Sequence, residues 1–147
     1  MPVAYVDLPS GLPAHSKKQL VSQLYEAIHH TYPIDDTRVL LREFSLEDVS
    51  QDGRLDSESM RPVVRLEVPP GVPIEAKRQL VGQISSALET ALRLQKDEVR
   101  LPSGKKLATN WVLTFFRESQ LDQVALDGLM ASENPMVLEG MELARRR

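Results

Sequence analysis

The sequence predicts an α+β fold in which two β-α-β units form one four-stranded sheet with two helices on one face. The first observation is an internal repeat. A shift of 60 positions places Pro2-Val3 on Pro62-Val63 and Gln19-Leu20-Val21 on Gln79-Leu80-Val81. The second observation is that each copy changes from a strand period to a helical period. With 147 residues, 41% of them hydrophobic, the chain is long enough to bury the core of a single domain over 1–147.

The first strand of each copy is predicted from alternating apolar residues. Val64, Leu66 and Val68 alternate with Arg65 and Glu67, the period-two pattern of a strand with one buried face. The first copy shows the same alternation at Ala4, Val6 and Leu8.

A helix follows each strand. Pro13 and Pro73 suit the first helical turn, where a missing N–H has no cost. Apolar residues then recur at helical spacing, at Leu20, Leu24, Ala27 and Ile28 and at Leu80, Ile84, Ala87 and Leu88. Tyr32-Pro33 ends the first helix, and residues 39–44 form a strand that should run parallel to the first through a crossover.

The first repeat therefore spans 2–44, and a polar linker containing Asp52-Gly53 spans 45–61. The second repeat spans 62–118. Pro102 cuts short a strand at residues 99–101, so residues 102–110 are interpreted as an insertion before a stronger strand at 111–116. The tail, 119–147, is predicted to hold one or two short helices near Pro135 and to pack on a neighbouring subunit.

Composition excludes several classes of function. The chain has no Cys, which excludes disulfides, thiolate nucleophiles and zinc-thiolate sites. No apolar run approaches the roughly 20 residues that cross a bilayer, and no secretory signal is recognised. The net charge is −3, so we expect no nucleic-acid or membrane partner and a cytoplasmic location.

Other catalytic constellations are not supported by the spacing of the residues. His29 and His30 are adjacent on a predicted helix, about 100° apart, and so do not converge on one metal ion. No G-x-S-x-G elbow or phosphate-binding Gly-rich loop occurs in the sequence. We expect no metal and no cofactor.

The Met1-Pro2 start, the alternating strand, Gly11, the amphipathic helix and the returning strand that Arg38 begins together resemble 4-oxalocrotonate tautomerase, here duplicated within one chain. The duplicated length and residues 116–128 are similar to cis-3-chloroacrylic acid dehalogenase. The resemblance covers residues 2–128 and is strongest over 2–44. It implies catalysis by an N-terminal proline amine, arginines that hold a substrate carboxylate, and a trimer.

Pro2 is the predicted catalytic residue. A proline within a chain is a non-basic amide, whereas an N-terminal proline is a secondary amine, so the chemistry requires removal of Met1 and is not open to Pro62. An ordinary α-amine titrates near ~8, and its pKa must fall by ~2–3 units to give a free base at neutral pH. The alternative is a proline that merely begins a strand.

Four further residues are predicted to bind substrate. Arg38 matches the family's arginine and would hold a carboxylate bidentately, the alternative being a solvated arginine at a strand end. Arg117 is a second cation near the site, as is Arg65. Phe115 or Phe116 would match an apolar wall of the family's pocket, with core packing as the alternative.

Departures from the family bear on the reaction. Leu12 and Val72 stand where an arginine would bind substrate, and Leu126, beside Asp127, stands where the dehalogenase has its water-activating Glu. Hydration or dehalogenation of 3-haloacrylates is therefore disfavoured. The predicted function is a cofactor-free isomerase acting on a small unsaturated 2-oxo or 2-hydroxy acid. The alternative is a non-catalytic or partner-dependent subunit of the same fold.

Overall fold

The computed structural model describes residues 1–55 and 60–147. In chain order the elements are β1 (Val3–Pro9), α1 (Ala14–Thr31), β2 (Arg38–Phe44), a 3-10 turn (Leu46–Asp48), β3 (Ser50–Gln51), β4 (Arg54–Leu55), β5 (Val63–Val68), α2 (Ile74–Leu92), β6 (Asp97–Arg100), β7 (Lys106–Thr109), β8 (Leu113–Glu118), a 3-10 turn (Leu121–Gln123), β9 (Ala125–Leu126), β10 (Leu129–Met130), a 3-10 turn (Ala131–Glu133) and α3 (Pro135–Arg146).

The central sheet has the strand order β2-β1-β5-β8. Within each unit the two strands are parallel, with Val3 opposite Arg38 and Val63 opposite Leu113. The two units join through antiparallel pairing of β1 with β5, in which Val3 lies opposite Glu67. The predicted four-stranded sheet built from two β-α-β units is thus confirmed.

The core lies between this sheet and helices α1 and α2, which also contact each other. Alternate strand residues and one face of each helix are buried there: Ala4, Val6, Leu8, Val64, Leu66 and Val68 from the strands, and Leu20, Leu24, Ile28, Leu80, Ile84 and Leu88 from the helices. Pro13 and Pro73 lie one residue before their helices, as N-caps rather than in the first turn. Burial of this apolar surface is the main force that holds the helices on one face.

The crossover of the second unit is fifteen residues longer than that of the first, because Arg38 pairs with Val3 whereas Leu113 pairs with Val63. The extra residues form a hairpin of β6 and β7 outside the central sheet. The hairpin turns at Gly104, whose φ is +90° and whose N–H donates to the Leu101 carbonyl. The strand expected at residues 111–116 lies two residues later, at β8.

The repeat continues past each returning strand. In the predicted linker, a 3-10 turn and the β3–β4 hairpin follow β2, while residues 56–59 lie outside the described residues. In the predicted tail, a 3-10 turn and the β9–β10 hairpin follow β8. Both hairpins turn at an Asp-Gly pair with positive φ, Asp52-Gly53 and Asp127-Gly128, the backbone that such pairs favour.

Helix α3 packs against the core of its own chain. It buries Val137, Met141 and Ala144 in the main core cluster. Its Arg147 donates to the carbonyl of His30 at the end of α1, with Asn134 capping its start through the Met136 N–H.

The sheet face opposite the helices carries alternating apolar and charged side chains, and we call it the open face. It presents Val3, Tyr5, Asp7, Arg38, Leu40, Arg42, Val63, Arg65, Glu67, Leu113, Phe115 and Arg117. Several of its apolar members are about half exposed, Leu40 at 46%, Leu113 at 48% and Phe115 at 51%. The tail leaves these three side chains exposed.

Gly140 of α3 tests the packing of this helix on the loop that follows α1. A Cβ at that position would lie 2.6 Å from the Pro33 carbonyl oxygen, whereas a Cβ on Gly82 of α2 would meet nothing within 4 Å. We expect Gly140→Ala to lower the free energy of unfolding by about 1–3 kcal/mol through overpacking. The control Gly82→Ala should raise it by about 0.5–1 kcal/mol, because Ala is the better helix former. Urea unfolding measures both, and equal effects would contradict the described packing.

Candidate active site

A pocket of about 280 Å³ lies where the chain begins. Antiparallel pairing of β1 with β5 creates it, because the start of one strand meets the end of the other. The segment after β8 closes the remaining side. Its lining residues are Met1, Val3, Glu67, Val68, Pro69, Ser119, Leu121, Gln123 and Val124.

Pro2 is buried at the first rung of the sheet. Its carbonyl accepts a hydrogen bond from the Arg38 N–H at 2.9 Å, and the carbonyl of Pro62 accepts the equivalent bond from Leu113 at 3.1 Å. Met1, which is bonded to the Pro2 nitrogen, lines the pocket. Pro2 itself is not among the lining residues, but both of its chain neighbours, Met1 and Val3, are.

The α-amine of Met1 occupies an environment that disfavours positive charge. It donates to the Asp35 carbonyl, and its pKa falls from 8.0 to about 5. Burial is the main cause, and Arg38 also lowers the pKa, while Asp36 and Asp35 oppose the change by Coulombic attraction. The Met1 α-amine is therefore in its neutral form at neutral pH.

Arg38 lies near the chain start, but its guanidinium is bound to Asp36. Two hydrogen bonds, of 3.0 Å from Nε and 2.9 Å from a terminal nitrogen, form a bidentate pair. This pairing lowers the pKa of Asp36. Since the Arg38 side chain is 60% exposed, the pair is open to solvent and a competing carboxylate could reach it.

Arg117 does not line the pocket, but it forms an ion pair with the lining residue Glu67. The two residues are opposite each other in β5 and β8, and their closest charged atoms are 3.7 Å apart. In the first unit, Asp7 and Arg42 occupy the matching positions and form a bidentate pair with hydrogen bonds of 2.6 and 3.0 Å. Arg65 lies 3.9 Å from the same Asp7. Arg117 is therefore held more loosely than its counterpart in the first unit.

Several solved structures have a fold similar to that of this chain. The crystal structure of native fused 4-OT is similar with a TM-score of 0.72 at 20% identity, covering 88% of this chain and 96% of that one. A fused 4-OT described as a wild-type asymmetric trimer is similar with the same TM-score, identity and coverage. A member of the cis-3-chloroacrylic acid dehalogenase family has a TM-score of 0.70 at 14% identity, covering 93% of this chain and 88% of that one.

The chain has the fold of a fused, two-repeat tautomerase. No protein-family model matches its sequence, and no curated protein does. Similarity at these identities extends to the fold, and the chemistry is argued from this chain's own residues.

The two predicted aromatic residues lie on opposite faces of the four-stranded sheet. Phe116 is half-buried on the helix side, with the Lys77 ammonium 5.3 Å from its ring centroid, and Phe115 is exposed on the open face. Neither is among the residues that line the pocket. Its apolar walls come instead from Val68, Pro69, Leu121 and Val124.

Sequence reasoning missed the polar lining, which comprises Glu67, Ser119 and Gln123. Two of them belong to a segment interpreted as a tail. A signal was present: a shift of 75 positions aligns Leu46 with Leu121, Val49 with Val124 and Asp52-Gly53 with Asp127-Gly128. This second repeat offset indicates that the segment after β8 belongs to the repeated fold and not to a tail.

No cluster of three or more metal-ligating side chains occurs among the described residues. Within the same ranges, no helix is long and apolar enough to cross a membrane. The polar side chains that line the pocket are the carboxylate of Glu67, the hydroxyl of Ser119 and the amide of Gln123, and Met1 of the lining carries the α-amine.

Two substitutions test what sets the pKa of the Met1 α-amine in the protein that retains Met1. Its α-amine should titrate near pH 5, being charged below that value and neutral above it. Arg38→Gln should raise this pKa, because a cation is lost and Asp36 is left unpaired. Asp36→Asn should lower it, and Asn tolerates the positive φ of 66° at this position. An NMR titration with the terminal nitrogen labelled measures each value, and a shift of both variants in one direction would contradict this account.

Proposed function

We propose that the chain loses Met1 and that the mature protein is a cofactor-free tautomerase. The substrate is a small unsaturated 2-oxo or 2-hydroxy acid, and the secondary amine of Pro2 is the general base and acid. The observation that carries this proposal is the pocket at the chain start, where burial lowers the pKa of the Met1 α-amine; the Pro2 amine that cleavage would create lies one residue further along the same buried stretch of chain. An amine kept neutral at neutral pH is the form that accepts a proton.

Loss of Met1 has two consequences in this proposal. It converts the Pro2 nitrogen from an amide into a basic amine, and it removes one of the side chains that line the pocket. Pro2 itself is held in place by its carbonyl, which accepts from Arg38, so the amine keeps a defined position after cleavage. A positioned base is more effective than a mobile one.

The proposed reaction moves one proton. The amine removes the hydroxyl proton of an enol acid and returns a proton to the carbon at the other end of the double bond, which leaves the 2-oxo acid. Arg38 would hold the substrate carboxylate by competing with Asp36, and Arg117 is the second candidate for that role. Apolar walls that exclude water would lower the pKa of the Pro2 amine, as burial does for the Met1 amine.

The runner-up function is a non-catalytic or partner-dependent subunit. The observation that favours it is that Arg38 and Arg117 already have carboxylate partners, Asp36 and Glu67. Leu12 and Val72 supply no replacement cation. Turnover of phenylenolpyruvate or 2-hydroxymuconate by the purified protein separates the two functions, since a non-catalytic subunit would convert neither.

The role of Pro2 has a matched control in the second repeat. We expect intact mass to show loss of Met1, and Pro2→Ala to lower kcat on an enol substrate by at least ~10²-fold, the low end for a general acid/base group. Pro62→Ala changes the matching proline, which is an internal amide, and should leave kcat within a few-fold. Arg38→Ala should mainly raise KM. A retained Met1 in an active protein, or parental turnover by Pro2→Ala, would overturn the assignment.

The open face supports a second part of the proposal, a homotrimer. Half-exposed apolar side chains such as Leu40, Leu113 and Phe115 alternate there with ion-paired arginines. An apolar sheet face of this kind is stable when another layer covers it. Two of the similar solved structures are described as symmetric and asymmetric trimers of fused 4-OT.

Assembly is tested by a charge placed on the open face. Light scattering should give a mass of about three times 16.5 kDa. Leu40→Glu should shift the protein to monomers, because a carboxylate buried in an interface lacks a partner. The control Leu107→Glu alters a residue exposed to a similar degree, 51% against 46%, on the β6–β7 hairpin and should leave the mass unchanged. A monomeric parent protein would contradict the trimer.

A further inference from the structure

We propose that Glu67 makes the pocket selective for monocarboxylic substrates with an apolar or hydroxyl-bearing far end, and that it rejects dicarboxylic ones. This inference rests on the proposed function and names the substrate class of the same site. Its basis is the balance of charges around the pocket.

Glu67 is the one charged side chain among the described residues that line the pocket. The other lining groups are the neutral Ser119 and Gln123 and a set of apolar side chains. A carboxylate that approaches this lining therefore meets a negative charge, and it leaves water without gaining a cation.

Three described cations near the pocket have a carboxylate partner. Arg38 is paired with Asp36, Arg117 with Glu67, and Lys77 with Glu118, the residue before Ser119 of the lining. One substrate carboxylate can compete with Asp36 for Arg38, since that pair is solvent-exposed. A second carboxylate meets no cation among the lining residues, and it would have to compete with Glu67 for Arg117.

The position of Glu67 is set by the backbone. It lies directly opposite Val3 in the antiparallel pair of β1 and β5, so it stays beside the residue that follows Pro2. Its 3.7 Å contact with Arg117 is longer than the bidentate contacts that hold the matching Asp7. Glu67 oxygens therefore remain able to accept a hydrogen bond from a substrate hydroxyl.

The remaining lining suits the far end of a monoacid. Val68, Pro69, Leu121 and Val124 offer apolar surface to an alkyl or aryl group. Selectivity then comes from one attractive and one repulsive element: apolar contact for the monoacid and, for the diacid, the negative charge of Glu67, which already occupies Arg117.

The test compares phenylenolpyruvate, a monoacid, with 2-hydroxymuconate, a diacid. We expect the parent protein to favour the monoacid in kcat/KM by at least about tenfold, and Glu67→Gln to raise kcat/KM for the diacid by about tenfold with little change for the monoacid. The control Glu98→Gln neutralises a carboxylate on the β6–β7 hairpin that pairs with Lys106, and it should leave both values unchanged. An unchanged ratio in Glu67→Gln, or an equal loss on both substrates, would overturn the inference.

A binding measurement separates this inference from the proposed function. Dissociation constants for butyrate and succinate, a monoacid and a diacid that need no turnover, are measured by NMR titration on the parent and on Glu67→Gln. If Glu67→Gln binds succinate more tightly than the parent does, with no matching gain for butyrate, the selectivity is supported. This holds even if neither enol is converted, in which case the proposed function alone fails. Turnover of the enols with no change in the succinate-to-butyrate ratio overturns the selectivity and leaves the tautomerase proposal standing.

Discussion

Antiparallel pairing of β1 with β5 is the constraint on which the rest of the structure depends. It joins two β-α-β units into one sheet and turns all the buried strand residues toward the helices. The same pairing brings the chain start beside Glu67 and Pro69 at the end of β5. A pocket that neither unit forms alone therefore arises at the junction, beside the start of the chain.

The two units share a backbone plan but differ at their first residues. Position 61 of the second repeat matches position 1 of the first, and Arg61 pairs with Asp52 at 3.1 Å while its guanidinium lies 3.9 Å from the Trp111 ring centroid. This cation–π contact and ion pair hold the chain that enters β5. Pro62 remains an internal amide, so duplication of the fold did not duplicate the proposed chemistry.

Two opposing electrostatic effects meet at the proposed site. Burial lowers the pKa of the Met1 α-amine, and an amine with a low pKa is neutral at neutral pH and can accept a proton. The arginines that would bind an anionic substrate are already paired with Asp36 and Glu67. The charge around the pocket is thus close to balanced, which favours substrates that carry a single negative charge.

The sequence by itself determined the repeat, the two helices and the strands that alternate in period two, because periodicity and turn residues act over short stretches of chain. It also singled out Pro2 as the candidate base. Only the tertiary structure decided that Arg38 pairs with Asp36, that Phe115 and Phe116 lie outside the pocket lining, and that Ser119 and Gln123 belong to it. The physical reason is strand order and register. Contacts such as Val3 with Glu67 join residues far apart in the chain, and hydrophobic periodicity does not specify which strands become neighbours.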